Sequence, residues 1–145
     1  MPTRLATTMD VDTVEQDMSF LSRREILIAG TSRLEANLMM RQGAKHHDAI
    51  VGEYNGNIGF FFWMEYEDNR FITSFISTKY FFESPVAFTN MARKRIKQYA
   101  EEHPGEKILS YTASKHKKAD RWFNLLGFSL VMSQKSVKVF EFAID

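Results

Sequence analysis

The chain has 145 residues, with 19 Lys and Arg against 18 Asp and Glu for a formal net charge of +1, and it contains no cysteine. A length of this order suits one domain, here residues 1–145, burying roughly two-thirds of its unfolded surface. The near balance of charge argues against bulk attraction to nucleic acid or acidic lipid, and the lack of thiols excludes a disulfide framework, a thiolate metal site and a cysteine nucleophile.

Thr3 to Met9 reads as a short first strand leading to Asp10 or Asp12 as a helix cap. No long apolar region precedes those aspartates, so no signal peptide is expected, and a reducing compartment such as the cytoplasm is the simplest home. Val14, Met18, Leu21 and Ile28 fall near one stripe of a first helix ending at Gly30. Ser32-Arg-Leu-Glu35 has the spacing of a capping box, with Leu34 and Leu38 continuing a second, shorter helix that Gly43 can end. From Ala49 the period changes. Ala49 to Tyr54 and Asn57 to Glu65 are apolar runs separated by Asn55-Gly56, a pair that supplies the two positive φ angles of a tight hairpin. The densest apolar run, Ile58 to Met64, is far too short to span a bilayer. Phe60 to Trp63 must alternate faces on its strand, so a helix is expected to cover the second face. Asp68-Asn69 forms another turn into a strand at Arg70 to Thr78.

Ser84-Pro85 reads as an N-cap followed by proline at the first helical position, where its missing N–H costs nothing. Phe88, Ala92, Ile96 and Tyr99 give this helix an apolar stripe, and His103-Pro-Gly105 stops it. Lys107 to Thr112 follows as a strand. Ser114 then caps a helix in which Ala119, Trp122, Phe123 and Leu126 share one stripe and Gly127 supplies the left-handed stop. Phe128 to Met132 and Val137 to Ile144 form a closing hairpin. The element order is β-α-α-β-β-β-α-β-α-β-β, an α/β (α+β) fold with a mixed, mostly antiparallel sheet flanked by helices.

That order, together with Leu126-Gly127-Phe128 after a helix, resembles the GNAT N-acetyltransferase superfamily over essentially the whole chain. In that family the last helix reads Asn, two residues, Ala, three residues, Tyr, three residues, Gly-Phe. Ala119 and Gly127-Phe128 match, His116 stands at the Asn position, and Phe123 stands where a Tyr often acts as general acid. Within the family the chain looks most like the small GNAT-like proteins of tailed bacteriophages, some of them internal virion proteins. The resemblance implies acetyl transfer from acetyl-CoA to an amine on a small molecule or protein, without a metal.

A GNAT domain usually cradles the pyrophosphate with an Arg/Gln-x-x-Gly-x-Gly/Ala loop before its third helix, because glycine lets the phosphate approach exposed N–H groups. Here Tyr80 fits the pattern, but Phe81 replaces the Arg or Gln, and Phe82, Ser84 and Val86 occupy the glycine positions. Pro85 removes a donor and Glu83 adds a negative charge, while Lys79 offers partial compensation. The resemblance places Ile76 and Ser77 against the pantetheine, Ser84 toward the pyrophosphate, and Phe82, Glu83, His116 and Phe123 along the same cleft. No catalytic residue is fixed. Tyr80 and Tyr111 carry hydroxyls that could replace the one lost at Phe123, and the strand from Phe71 to Thr78 has no carboxylate, which leaves Glu65 the nearest base in sequence. The competing reading is a GNAT scaffold that has lost catalysis and serves binding or a virion. A third, nucleic-acid binding, rests only on the basic clusters at 93–97 and 115–118, which Glu65, Glu67, Asp68 and Glu101, Glu102, Glu106 offset. His46-His47 lack further ligands at a metal spacing. Oligomeric state is left open.

Overall fold

A computed structural model describes residues 3–112, 117–134 and 137–142. Its elements are β1 (Thr3–Leu5), α1 (Thr8–Gln16), α2 (Phe20–Ile28), α3 (Arg33–His46), β2 (Ile50–Tyr54), β3 (Asn57–Glu67) and β4 (Arg70–Ser77). A 3-10 turn (Lys79–Glu83), α4 (Pro85–Glu102), β5 (Lys107–Thr112), α5 (Lys117–Leu126), β6 (Phe128–Gln134) and β7 (Val137–Phe142) complete the chain. The strands form one sheet in the order β1-β2-β3-β4-β5-β7-β6. Every neighbouring pair is antiparallel except β4 and β5. The expected mixed, mostly antiparallel sheet is present.

The N-terminal region differs from the expectation of one long first helix. Thr7, not Asp10 or Asp12, is the cap of α1, and Asp10 returns the bond to the Thr7 backbone, so the pair forms a capping box. The helix stops at Asp17, and Ser19 caps a new one by accepting from the Ser22 N–H. The reason for the break lies across the molecule: Met18 forms an isolated antiparallel bridge with Thr78, just past the end of β4. Tertiary pairing has overridden helical periodicity there.

Arg4 grips Asp10 through two nitrogens at 2.7 and 2.9 Å. Burial pushes the Asp10 carboxyl up, but the hydrogen bonds from Arg4 and Thr7 outweigh it and hold the group below the ordinary aspartate range. Its stabilising contribution is therefore present above the ordinary pKa and lost as pH falls through the lowered one. Asp10→Ala is expected to cost about 1–3 kcal/mol at neutral pH. Urea melts across the acid range check this, and the gap from wild type should close as pH falls.

The capping box at Ser32 and Glu35 forms as expected. The helix it opens is longer than expected and passes through Gly43 to His46. Gly43 is there for close packing rather than as a stop, since a Cβ on it would lie 2.9 Å from the Trp63 ring. Leu34 and Leu38 point to solvent, and Ala36, Met40 and Gly43 make the buried stripe at i, i+4 and i+7 instead.

Both hairpin turns follow from residue type. Asn55 and Gly56 have φ of 53° and 79°, and Asp68 and Asn69 have φ of 52° and 62°. Between them, β3 sends Phe60, Phe62 and Met64 to one face and Phe61 and Trp63 to the other, all of them buried. α4 and α5 cover the first face with Phe88, Ala92, Ile96, Phe123 and Leu126. The N-terminal helices cover the second with Val11, Val14 and Met40. Helices of the same domain thus supply the expected cover. Gly127 ends α5 at φ 104°, and β6 and β7 close the sheet with an irregularity between Leu130 and Met132.

Candidate functional site

The one parallel pair in the sheet is also the pair that separates. β4 and β5 keep register from Arg70 opposite Lys107 to Ile72 opposite Leu109, and no farther. Thr73 Oγ1 still reaches the Leu109 carbonyl at 3.2 Å. Beyond that point β4 continues to Ser77 beside β3, while β5 continues to Thr112 beside β7. A crevice therefore opens at the carboxyl ends of two parallel strands, the usual place for a ligand in such sheets.

One helical turn bridges the mouth of the crevice. On the β4 side, Ser22 Oγ of α2 accepts the Ser77 N–H at 2.9 Å. It also lies 3.0 Å from Ser77 Oγ, and Ser19 Oγ lies 2.6 Å from the same atom. The Ser77 carbonyl accepts the Ser19 N–H at 2.9 Å, and Lys79 N–H donates to the Asp17 carbonyl at 2.8 Å. Residues 17–19 thus lie alongside the end of β4 like a short extra strand. On the β5 side, Glu25 Oε1 accepts from Thr112 Oγ1 at 2.9 Å. Ser22 and Glu25 are three residues apart on one helix face, roughly one turn and about 5 Å along the axis. Burial pushes the Glu25 carboxyl above the ordinary glutamate range, and the Thr112 hydrogen bond offsets this only in part.

The wall toward α4 and α5 is aromatic. Phe75 of β4 meets Trp122 of α5 at 4.5 Å between ring centroids and Phe81 of the 3-10 turn at 5.9 Å. Trp122 Nε1 is buried and has no hydrogen-bond partner among the described residues. A buried indole donor is normally paired, so this one marks a position where an acceptor would be favourable. At the start of α4, Pro85 occupies the first turn and the Ser84 side chain makes no capping bond. Ser84 thus takes the expected N-cap position ahead of Pro85, but without a side-chain bond it leaves the first-turn N–H groups of Val86 and Ala87 without an acceptor from its hydroxyl.

The sequence-predicted residues divide between this crevice and other places. Ser77 stands at its mouth, and Ile76 beside it is buried against the opposite face with Phe61 and Trp63. Tyr80, Glu83 and Ser84 turn toward the β2–β3 hairpin, where with Tyr54, Asn55, Asn57 and Phe88 they line a cavity of about 100 Å³. Lys79 Nζ stands 5.2 Å from the Tyr80 ring. Phe82 is half exposed beside Phe81. Phe123 lies in the core, stacked on Phe140 at 4.5 Å between centroids. Tyr111 is exposed on the other face of β5, in a groove of about 360 Å³ with Arg70, Lys107 and Glu141. Glu65 on β3 pairs with Ile72, the last β4 residue still in register with β5, and its Oε1 accepts from Trp63 Nε1 at 3.1 Å. His116, Ser114 and Lys115 lie outside the described residues. Glu25 and Trp122 are what sequence reasoning did not pick out as site residues. The Ser22-x-x-Glu25 spacing puts two polar side chains one turn apart on α2, but nothing local in the sequence says what they face.

Among the described residues no group of three or more His, Cys, Asp or Glu could hold a metal ion, and no helix is long and apolar enough to cross a membrane.

No family model matches the sequence, and no curated protein matches it. Solved structures do match in fold. PaiA N-acetyltransferase from Thermoplasma acidophilum, in complex with coenzyme A, aligns over 98% of each chain with a TM-score of 0.68 and 10% identity. The GNAT domain of S. lividans PAT aligns over 97% of this chain and 88% of its own, with a TM-score of 0.72 and 14% identity. A spermidine N-acetyltransferase chimera from Vibrio cholerae and hSSAT aligns over 98% and 95%, with a TM-score of 0.65 and 14% identity. At these identities the likeness shows the fold, and the fold is that of GNAT acetyltransferases.

Proposed function

We propose that the chain is an N-acetyltransferase that moves an acetyl group from acetyl-CoA to an amine. The observation that carries this reading is the crevice between the parting ends of β4 and β5, with the rings of Phe75, Phe81 and Trp122 packed beside it. A GNAT-fold neighbour in complex with coenzyme A supports it. The residues present fit an acyl-CoA. The buried, unpaired Trp122 Nε1 would donate to a carbonyl of the acyl-pantetheine arm, and the first turn of α4 would attract the phosphates. Acetyl-CoA supplies the activated thioester; the chain supplies orientation and a dry aromatic wall at Phe75, Phe81 and Trp122. The acceptor is an amine on a small molecule or a protein.

Calorimetric titration with acetyl-CoA tests the reading. The expected result is saturable binding that Trp122→Phe weakens about tenfold, the loss of one hydrogen bond of about 1.4 kcal/mol. Absence of binding at millimolar acetyl-CoA would remove it. A second reading has one specific observation in its favour: both backbone groups of Ser77 are already bonded, to Ser22 Oγ and to the Ser19 N–H. On that reading the fold is kept, the chain's own segment takes the place of the pantetheine arm, and the protein works by binding alone. The same titration separates the two.

A further inference from the structure

We infer that Glu25 is the general base that takes the proton from the attacking amine, an assignment that rests on the acetyltransferase reading above. No carboxylate comes from β4, and Glu65 of β3, opposite Ile72, is held by Trp63 Nε1 on the face covered by the N-terminal helices. Glu25 is the carboxylate that the structure holds between the parting strands, anchored on β5 through Thr112 while its helix is anchored on β4 through Ser22. Two fixed points on one helical turn hold its position without a loop. Its second carboxylate oxygen accepts no hydrogen bond from the described residues, and one acceptor site is what an incoming ammonium needs. Burial favours the neutral acid, so the ionised form binds a proton more readily than a solvated glutamate does.

Charged groups on the surrounding elements are engaged elsewhere. Lys138, opposite Thr112 on β7, is held by Asp120 at 3.0 Å. Lys79, just past β4, lies 3.8 Å from Asp17, and Arg41 of α3 lies 2.7 Å from Asp12. Arg33 reaches the Glu15 carbonyl at 3.3 Å, and Arg23 and Arg24 on α2 itself are exposed. Arg70 and Lys107 sit at the opposite, paired end of β4 and β5.

The step balances without an added reagent. The acceptor R–NH3+ gives one proton to the Glu25 carboxylate, and the free amine nitrogen bonds to the thioester carbonyl carbon. The carbon–sulfur bond breaks, the thiolate takes the second nitrogen proton, and Glu25 returns its own proton to solvent.

Glu25→Gln is the test, because the amide oxygen can still accept from Thr112. Three readouts are compared: acetyl-CoA binding by calorimetry, thiol release with spermidine as amine probe, and the carboxyl 13C titration of Glu25 in the protein alone. The expected result is acetyl-CoA binding within about twofold of wild type and kcat/KM lowered at least about 100-fold. The acid limb of the pH profile should coincide with a Glu25 midpoint above the ordinary glutamate range and vanish in the variant. The carboxyl favours folding fully below its ordinary pKa and loses that contribution as pH rises through the raised one. E25Q should therefore melt above wild type at neutral pH and match it below the ordinary range. A Glu25 midpoint in the ordinary range, or E25Q turnover within about threefold of wild type, overturns the assignment while acetyl-CoA binding keeps the acetyltransferase reading. No acetyl-CoA binding in either protein overturns both.

Discussion

Phe88→Ala is expected to lower stability by about 3–5 kcal/mol, the range for deleting a buried aromatic ring. Phe88 is 1% exposed. Its ring stands edge-on to Phe60 at 6.2 Å and to Tyr54 at 6.1 Å, and it stacks on Phe81 at 5.8 Å between centroids. One side chain of α4 thereby fastens the helix to β2, to β3 and to the 3-10 turn at once. β3 makes room for it with Gly59, where a Cβ would run into the Phe88 ring. Collapse of the strand onto the void is hindered because Phe61 and Trp63, on the other face of β3, are themselves tightly packed. The expected outcome is a lower urea midpoint at unchanged slope, as for loss of stability without loss of compactness. Gly59→Ala tests the same contact from the opposite side. Overpacking there should cost about 1–3 kcal/mol, and F88A combined with G59A should cost less than the sum, since each change relieves the other. Additive costs would mean that the ring and the glycine do not share a contact.

That contact also shows where sequence reasoning succeeds and where it stops. The Phe88–Ala92–Ile96 stripe, the Asn55-Gly56 turn and the Gly127 stop are local rules, written in residues a few positions apart, and the fold honours them. The break at residues 17–19 is not local. It exists because Ser77 and Lys79 need backbone partners once β5 has moved away, and Asp17 and Ser19 provide them from about 60 positions earlier. Leu34 and Leu38 mislead for a related reason: α3 packs on Trp63 through Gly43, which turns Ala36 and Met40 inward and leaves the leucines outside. The family resemblance put a cleft around Ser77 and Ser84, and of these Ser77 lies on the stretch of β4 that has parted from β5. Glu25 was not, because its significance depends on Thr112, 87 positions away. Phe123 was assigned to the cleft from its place in a helical pattern, whereas Trp122, its neighbour, is the residue that the helix turns toward Phe75.

Ser22→Ala should act with opposite signs on folding and on binding. Its hydroxyl is buried and accepts the Ser77 N–H at 2.9 Å. Removing it leaves a backbone donor without its partner in a dry place, which costs about 1–3 kcal/mol. The same donor faces the crevice in which the pantetheine arm would lie. In the wild-type protein an incoming amide carbonyl must displace the Ser22 hydroxyl before it can use that N–H; in S22A nothing has to be displaced. Acetyl-CoA binding should therefore tighten by about tenfold, which is about 1.4 kcal/mol, and saturating ligand should recover most of the lost melting temperature by mass action. Thermal melts with and without acetyl-CoA, read beside calorimetry, check both halves. A variant that is destabilised yet binds no better places the pantetheine elsewhere and makes α2 a fixed wall of the crevice. Weaker binding together with lower stability would instead make Ser22 itself a contact for the ligand. Tighter binding with lower stability would identify residues 17–22 as a segment of the chain that competes with the cofactor for one strand edge.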